Sequence, residues 1–265
     1  MNNFIANYKK ILETLQQIES KMNFLNQKRT PKLSDIELIA IDLTSEYMGI
    51  DSEYQLFRCL PDILSNRIER SVYNRRKRGL FFHREALRTK VADCILTQKD
   101  NLILDSMPLE ICRLSRSTRS STCKEDYQTA PNRGYCASQN THYYGYKLNA
   151  VCTTSGVFTS FDLTEASVHD IHYLKDIKEL YQDCTILGDK GYLSVDYQLD
   201  LFETRNIRLE VPMRINQCNY QPQAYKYRKA RKRIETLFSQ LCDQFMIRRN
   251  YAKTFDGFKI EYCRK

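Results

Sequence analysis

At 265 residues, 42% hydrophobic and 28% charged, the chain is long enough for one large domain, or for a core with a small appended one. No apolar run approaches the roughly 18 residues of a membrane helix. The start, MNNFIANYKKILETL, lacks the charged, apolar and small-residue succession of a signal peptide, and the expected compartment is the cytoplasm.

Net charge is +9, and its distribution says more than its size. Residues 65–90 carry a surplus of +7 and residues 206–265 a surplus of +9, so the excess sits in two clusters, as expected for a partner that is a polyanion. Ten cysteines are scattered without a C-x-x-C pair. Neither a zinc ribbon nor a thioredoxin-like motif is therefore expected, and Cys123, Cys136 and His142 match no finger spacing.

In chain order, residues 4–25 have apolar residues at helical spacing and no Pro or Gly, which predicts a helix. Ser34 and Glu37 form a capping-box pattern ahead of IELIAIDLTSEYM, with Gly49 at the C-terminal cap position. Ser52 and Gln55 repeat the pattern before YQLFRCL, Pro61 ends that segment, and NRIERSVYNRRKRG opens a third at Ser65. Two short helices about a tight turn, the second basic, suggest a helix-turn-helix. Arg67, Arg70, Arg75, Arg76, Lys77 and Arg78 would then face DNA phosphates or a groove, with Ile68 and Val72 packing inward. A further helix is expected over 81–96. The reading divides the chain into an all-helical region, 1–98, and a second domain, 99–265.

The second domain opens on NLILDSMPLEI, a continuous apolar run interrupted by Asp105, which suits a buried strand. An unpaired carboxylate there costs several kcal/mol unless it lies at the strand end, is hydrogen-bonded or binds a cation. Residues 113–141 read as a polar loop, followed by a hairpin, HYYGYKLNAVCTT and VFTSFDLTEA, turning at Gly156. Lys147 on its first strand is a candidate phosphate contact. VHDIHYLKDIKELY is helical, and His169 and Asp170 at its start are read as helix-start chemistry. CTIL is a strand, and after it GDKGY places Asp189 at a strand end between two glycines, with Lys190 beside it. A helix (194–205), a strand (207–213) and a long basic helix follow, the last with Ile234, Leu237, Phe238, Leu241 and Phe245 on one side and Arg228, Arg231, Lys232 and Glu235 on the other. An ion pair from Arg231 to Glu235, four residues apart, is the plain expectation for that acid.

LDSMP around Asp105, GYCAS and YYGYKLN in 134–149, ASVHD at 166–170, LGDKGY around Asp189 and RKRIETLFSQL around Glu235 together resemble the DDE transposases of bacterial insertion sequences, particularly the insertion-sequence 982 type, over nearly the whole chain. The resemblance implies an α/β fold: a ribonuclease H-like catalytic core, its mixed sheet flanked by helices, preceded by the small all-helical region. It implies a triad, Asp105, Asp189 and Glu235, that is both catalytic and metal-binding, with two Mg²⁺ ions per site and Mn²⁺ as a substitute. It implies double-stranded DNA as partner, both element ends and target, a homodimer or larger assembly on DNA, and a nucleoid-associated location in a bacterial cytoplasm. Lys190, Arg228, Arg231 and Lys232 would contact DNA beside the triad. Against the Y-x2-R-x3-E-x6-K pattern of the related insertion-sequence 4 type, Arg231 and Glu235 match, whereas Arg228 and Cys242 replace its Tyr and Lys. The chain stops at EYCRK, earlier than the family usually ends, which implies a missing or altered C-terminal helix.

The chemistry explains the acids. At about 4 Å and an effective dielectric near 20, each carboxylate pair repels by roughly 4 kcal/mol, which a divalent cation reverses. Oxygen ligands suit Mg²⁺ or Mn²⁺, and such ions support in-line phosphoryl transfer. The expected activity is cleavage at the element's ends followed by strand transfer. The rival readings are a metal-dependent nuclease of the same fold and a catalytically inactive relic that binds DNA and represses.

Overall fold

The computed structural model describes residues 3–95, 101–217, 220–249 and 251–262. The expected boundary at 98/99, the last residue of the 81–96 helix and the end of EYCRK lie outside these residues. The chain forms two compact units: 3–94 with 241–249 and 256–262, and 95–240 with 251–255, taken over the described residues. Among the described residues no helix is long and apolar enough to cross a membrane.

The first unit is helical. It contains α1 (Phe4–Ile18), α2 (Asp35–Tyr47), α3 (Glu53–Cys59), α4 (Asp62–Ser65), α5 (Arg70–Gly79), most of α6 (Phe81–Ile95) and all but the first residue of α10 (Phe255–Tyr262). Helix α2 begins as predicted: the Ser34 side chain accepts from the Glu37 N–H and the Glu37 carboxylate accepts from the Ser34 N–H, a complete capping box. Gly49 follows in the left-handed conformation, at φ +67°. Helix α1 stops at Ile18, short of the expected residue 25. The Asp35 carboxylate accepts from the N–H groups of Phe24 and Leu25, both at 2.8 Å, and that bond pattern fixes the stretch as a loop. Between α3 and α5 lies a ten-residue connection containing the one-turn α4, so the tight turn expected of a helix-turn-helix is not what joins α3 to α5. Pro61 is the cause: it closes α3 and starts α4 from its N-cap position.

The second unit is built on a six-stranded sheet: β1 (Asn101–Cys112), β2 (Asn132–Cys136), β3 (Thr141–Thr153), β4 (Phe158–Glu165), β5 (Thr185–Leu187) and β6 (Arg208–Glu210). Helices α7 (Leu174–Leu180), α8 (Val195–Arg205) and α9 (Tyr225–Asp243) follow β4, β5 and β6 in turn. Strand β3 pairs antiparallel with β1 along one edge, while its other edge carries β2 on its first half and β4 on its second. Strand β5 joins β1 in parallel and β6 joins β5 in parallel. A three-stranded meander, β1, β3 and β4, extended beyond β1 by two parallel strands reached through helices, is the ribonuclease H-like arrangement, and the fold is α/β with a mixed sheet.

Strand β2 lies inside the stretch expected to be a polar loop. It forms because Gly134 lets the backbone close on its neighbours: a Cβ there would stand 2.5 Å from the Ala166 carbonyl oxygen and 2.9 Å from the Tyr143 ring. Gly145 is needed where the β1–β3 register shifts between Glu110 and Cys112, since a Cβ would sit 2.1 Å from the Leu109 carbonyl oxygen. Strand alternation then sorts β1. Leu102 and Leu104 point into the core with Tyr173, Leu174, Ile177 and Leu201 of the α7 and α8 side. Asp105, three residues on from Leu102, points to the opposite face.

Candidate metal and DNA-processing site

Strand register brings the two aspartates together. Ile103 pairs with Leu187 on the parallel neighbour, so Asp105, within β1, and Asp189, just past the end of β5, each two residues further on, stand level on adjacent strands. Asp189 has extended backbone and is the residue before a short 3-10 turn over Lys190–Tyr192, with no capping bond from its side chain. Its carboxylate is therefore available to the site. Opposite Asp105 on β3 is Ala150, which leaves space beside the acid. Gly188 and Gly191 are not in the left-handed conformation. Gly188 instead permits packing, because a Cβ would come within 3.1 Å of Val211 and 3.3 Å of Tyr192.

Helix α9 closes the site from the face that Asp105 occupies. Its buried Ile234 and Phe238 face inward as predicted, with the Phe238 ring 6.5 Å from that of Phe158. Arg233 donates to the Ser155 carbonyl at 2.7 Å across the β3–β4 turn, where Gly156, at φ +94°, leaves the room its guanidinium needs. With Arg233 and Ile234 fixed, Arg231 is carried to Asp189, Nη2 to Oδ1 at 3.4 Å. Among the described residues it makes no ion pair with Glu235, and its Nε is buried without a hydrogen-bond partner.

Asp105 shows what this arrangement does electrostatically. Burial is the main cause that pushes its carboxyl from the ordinary aspartate value up to about 6, and the negative fields of Asp189 and Asp170 add to the rise. The Ser106 N–H, donating to Oδ1 at 2.8 Å, and the Arg231 guanidinium pull the other way without cancelling it. Two acids level on adjacent strands, one with its carboxyl pushed up mainly by burial, offer hard oxygens that fit a divalent cation. Glu235 is not gathered with them. It is exposed one helical turn beyond Arg231, and among the described residues no three His, Cys, Asp or Glu stand close enough together to hold a metal ion.

The basic residues divide sharply. Arg76 is buried, 2.6 Å from Asp35. Lys77 is buried among Asp42, Glu53 and Glu261 at 3.6, 3.8 and 3.5 Å. Both are committed to the interior of the helical unit, and they do not present their charge to a nucleic acid. Arg67 pairs with Glu37 at 2.8 Å, and Arg70 stacks over the Tyr54 ring at 4.1 Å. Ile68 is buried as expected and Val72 half-buried. Arg75 and Arg78 on α5 are exposed, as are Lys190, Arg228 and Lys232 in the second unit. Lys147, expected on phosphate, is mostly buried and paired with Asp170 at 2.6 Å.

Asp170 is the residue that sequence reasoning missed. His169 behaves as helix-start chemistry, its Nδ1 accepting from the Ile171 N–H at 3.2 Å. Asp170 does not, because its carboxylate turns back to the sheet and accepts from Ser106 Oγ at 3.2 Å. The signal was an acid directly after the last strand of the meander, within reach of a lysine on that meander.

A family model described as transposase DDE domain matches residues 97–264. No curated protein matches. Among solved structures, the Mos1 transposase paired-end complex with left transposon end is 12% identical over 89% of this chain and 80% of that chain, at a TM-score of 0.26. Since the family model spans more than half of the sequence, the chain belongs to the transposase DDE domain family.

Proposed function

We propose that the protein is a transposase that binds the terminal inverted repeats of its own element, cleaves DNA there and transfers the freed 3′ ends to target DNA. The observation that carries the reading is the placement of Asp105, half-buried and short of positive charge, level with Asp189 just past the neighbouring strand. Divalent metal use goes with this family; Mg²⁺, as a pair of ions, is the proposed form, with Mn²⁺ as substitute. Asp105 and Asp189 would hold it, with Glu235 as the third ligand. Glu235 lies on the same face of α9 as Arg231, so a side-chain rotation or a small shift of the helix is what that role requires. When bound, the metal would lower the pKa of an attacking water or 3′-hydroxyl and stabilise the leaving oxygen.

The chain's own groups then have distinct tasks. The Ser106 N–H orients Asp105, and Arg231, released from Asp189, has the planar fork that suits a phosphate. Lys190, Arg228 and Lys232 supply exposed charge beside the acids for backbone contact. Arg75 and Arg78 do so on the helical unit. The working form on DNA is a homodimer or larger.

The test uses the full chain and DNA carrying its gene with flanking sequence. Asp105→Asn and Asp189→Asn should abolish Mg²⁺-dependent cleavage while end binding persists, and undiminished cleavage would sink the assignment. Cleavage with no joined products would leave a nuclease. Absence of cleavage by the unaltered protein, with end binding intact in both forms, would leave a DNA-binding relic.

A further inference from the structure

A buried polar chain reaches Asp105 from the far side of the sheet. Lys147 lies on β3 opposite Pro108 of β1, and its ammonium, only 12% exposed, is 2.6 Å from Asp170 and donates to the Val168 carbonyl at 2.8 Å. Asp170 Oδ1 accepts from Ser106 Oγ. The backbone N–H of that same serine donates to Asp105 Oδ1 at 2.8 Å. Asp170 also touches the other acid's segment: its Oδ2 lies 3.4 Å from where a Cβ on Gly191 would be, two residues past Asp189. One carboxylate thus abuts the backbone beside both acids.

The alternative role for such a pair is ordinary stabilisation, and the contacts argue against that alone. An ion pair serving only to hold β3 against the start of α7 has no need of the serine that precedes Met107, nor of the turn after β5. Asp170 meets both, and its neighbours sit immediately next to, or two residues from, the proposed ligands. We propose that Asp170, held by Lys147, is a positioning residue that sets the orientation and separation of Asp105 and Asp189. The inference rests on the reading of those two acids as a divalent-cation site.

Mn²⁺ binding to the full-length protein without DNA, measured by calorimetry and by electron paramagnetic resonance, tests it. Asp170→Ala should weaken binding by about tenfold or more, the range seen when partners that orient metal ligands are removed. Because Asp170→Ala leaves Lys147 unpaired, the double variant Lys147→Met with Asp170→Leu removes both charges. It should melt close to the unaltered protein and still bind Mn²⁺ about tenfold more weakly. Ser106→Ala, which deletes one oxygen, should weaken binding in the same direction by a smaller factor. Unaltered affinity in a folded double variant overturns the proposal, and should that variant not fold, unaltered affinity in Ser106→Ala overturns it. Asp105→Asn is run beside them: if it too binds Mn²⁺ normally, the metal-site reading has failed and not merely the bracing.

Discussion

Both units withdraw acids from water, fully in the helical unit and partly in the sheet unit, yet they treat them in opposite ways. In the helical unit the Asp35 carboxylate is matched by Arg76 at 2.6 Å and by the backbone N–H groups of Phe24 and Leu25, both at 2.8 Å. Asp42 is matched by Arg84 at 2.6 Å, Lys77 at 3.6 Å and the Tyr73 hydroxyl at 2.9 Å. In the sheet unit Asp105 has one backbone N–H, one arginine shared with Asp189, and two further acids nearby. A buried charge whose partners satisfy it serves architecture. One left short of positive charge is the better candidate for a cation ligand, as proposed for Asp105.

The largest expected effect breaks the satisfied side. Asp42→Ala leaves Arg84 buried without its acid and takes from Lys77 one of its three, which should cost about 3–5 kcal/mol. Urea denaturation should show an earlier unfolding transition, and a loss below about 1 kcal/mol would remove the contrast drawn between the units.

Asp105→Asn should act with the opposite sign. With the carboxyl pushed up to about 6 by burial, the folded protein still holds a proton between about pH 4 and pH 6 that the unfolded chain has released. Stability therefore declines as pH rises through that window and stays lowered above it. Without divalent metal, the asparagine variant should be more stable at pH 7.5 by an amount on the order of 1–3 kcal/mol, and the gain should fade towards pH 4. Thermal melts across pH decide this, and a destabilised variant at pH 7.5 would mean that the acid is already satisfied. Adding Mn²⁺ should stabilise the unaltered protein and not the variant.

The legible part of this architecture is what local physics writes into short stretches. The capping box at Ser34 and Glu37, the hairpin about Gly156 and the apolar run that buries β1 follow from residues close in sequence, whereas β2 lies in a stretch that reads as a polar loop. Asp105 was legible as an acid within an apolar strand and Asp189 as one at a strand end, and parallel pairing of β1 with β5 makes them neighbours. Partner choice over long distances was not legible. Nothing local distinguishes Arg76, which meets an acid 41 positions earlier, from Arg75, which faces solvent, since both lie in one run of four cations. The same holds for Lys147 and Asp170, whose meeting depends on where the chain turns after β4. Glu235 shows a third kind of limit, because helical spacing gives its face and not the rotamer or shift that would bring it to the aspartates.

That neighbouring pair of arginines gives the gentlest test of the comparison. Arg75 is exposed and makes no ion pair among the described residues, and the same is true of Arg78 three positions on. Removing both as Arg75→Ala with Arg78→Ala should leave the unfolding transition within about 0.5 kcal/mol of the unaltered protein. Should both meet phosphate, the slope of log affinity for duplex DNA against log salt should shrink by about 1.8, near 0.9 for each phosphate no longer neutralised. Fluorescence anisotropy over a potassium chloride series measures it. Arg76→Ala should instead destabilise the fold by leaving Asp35 without its arginine, so two adjacent cations of one helix would report on two different properties. An unchanged salt slope in the double variant would move the DNA contact of this unit away from α5, while a large loss of stability would show that exposure on α5 does not mark a free charge.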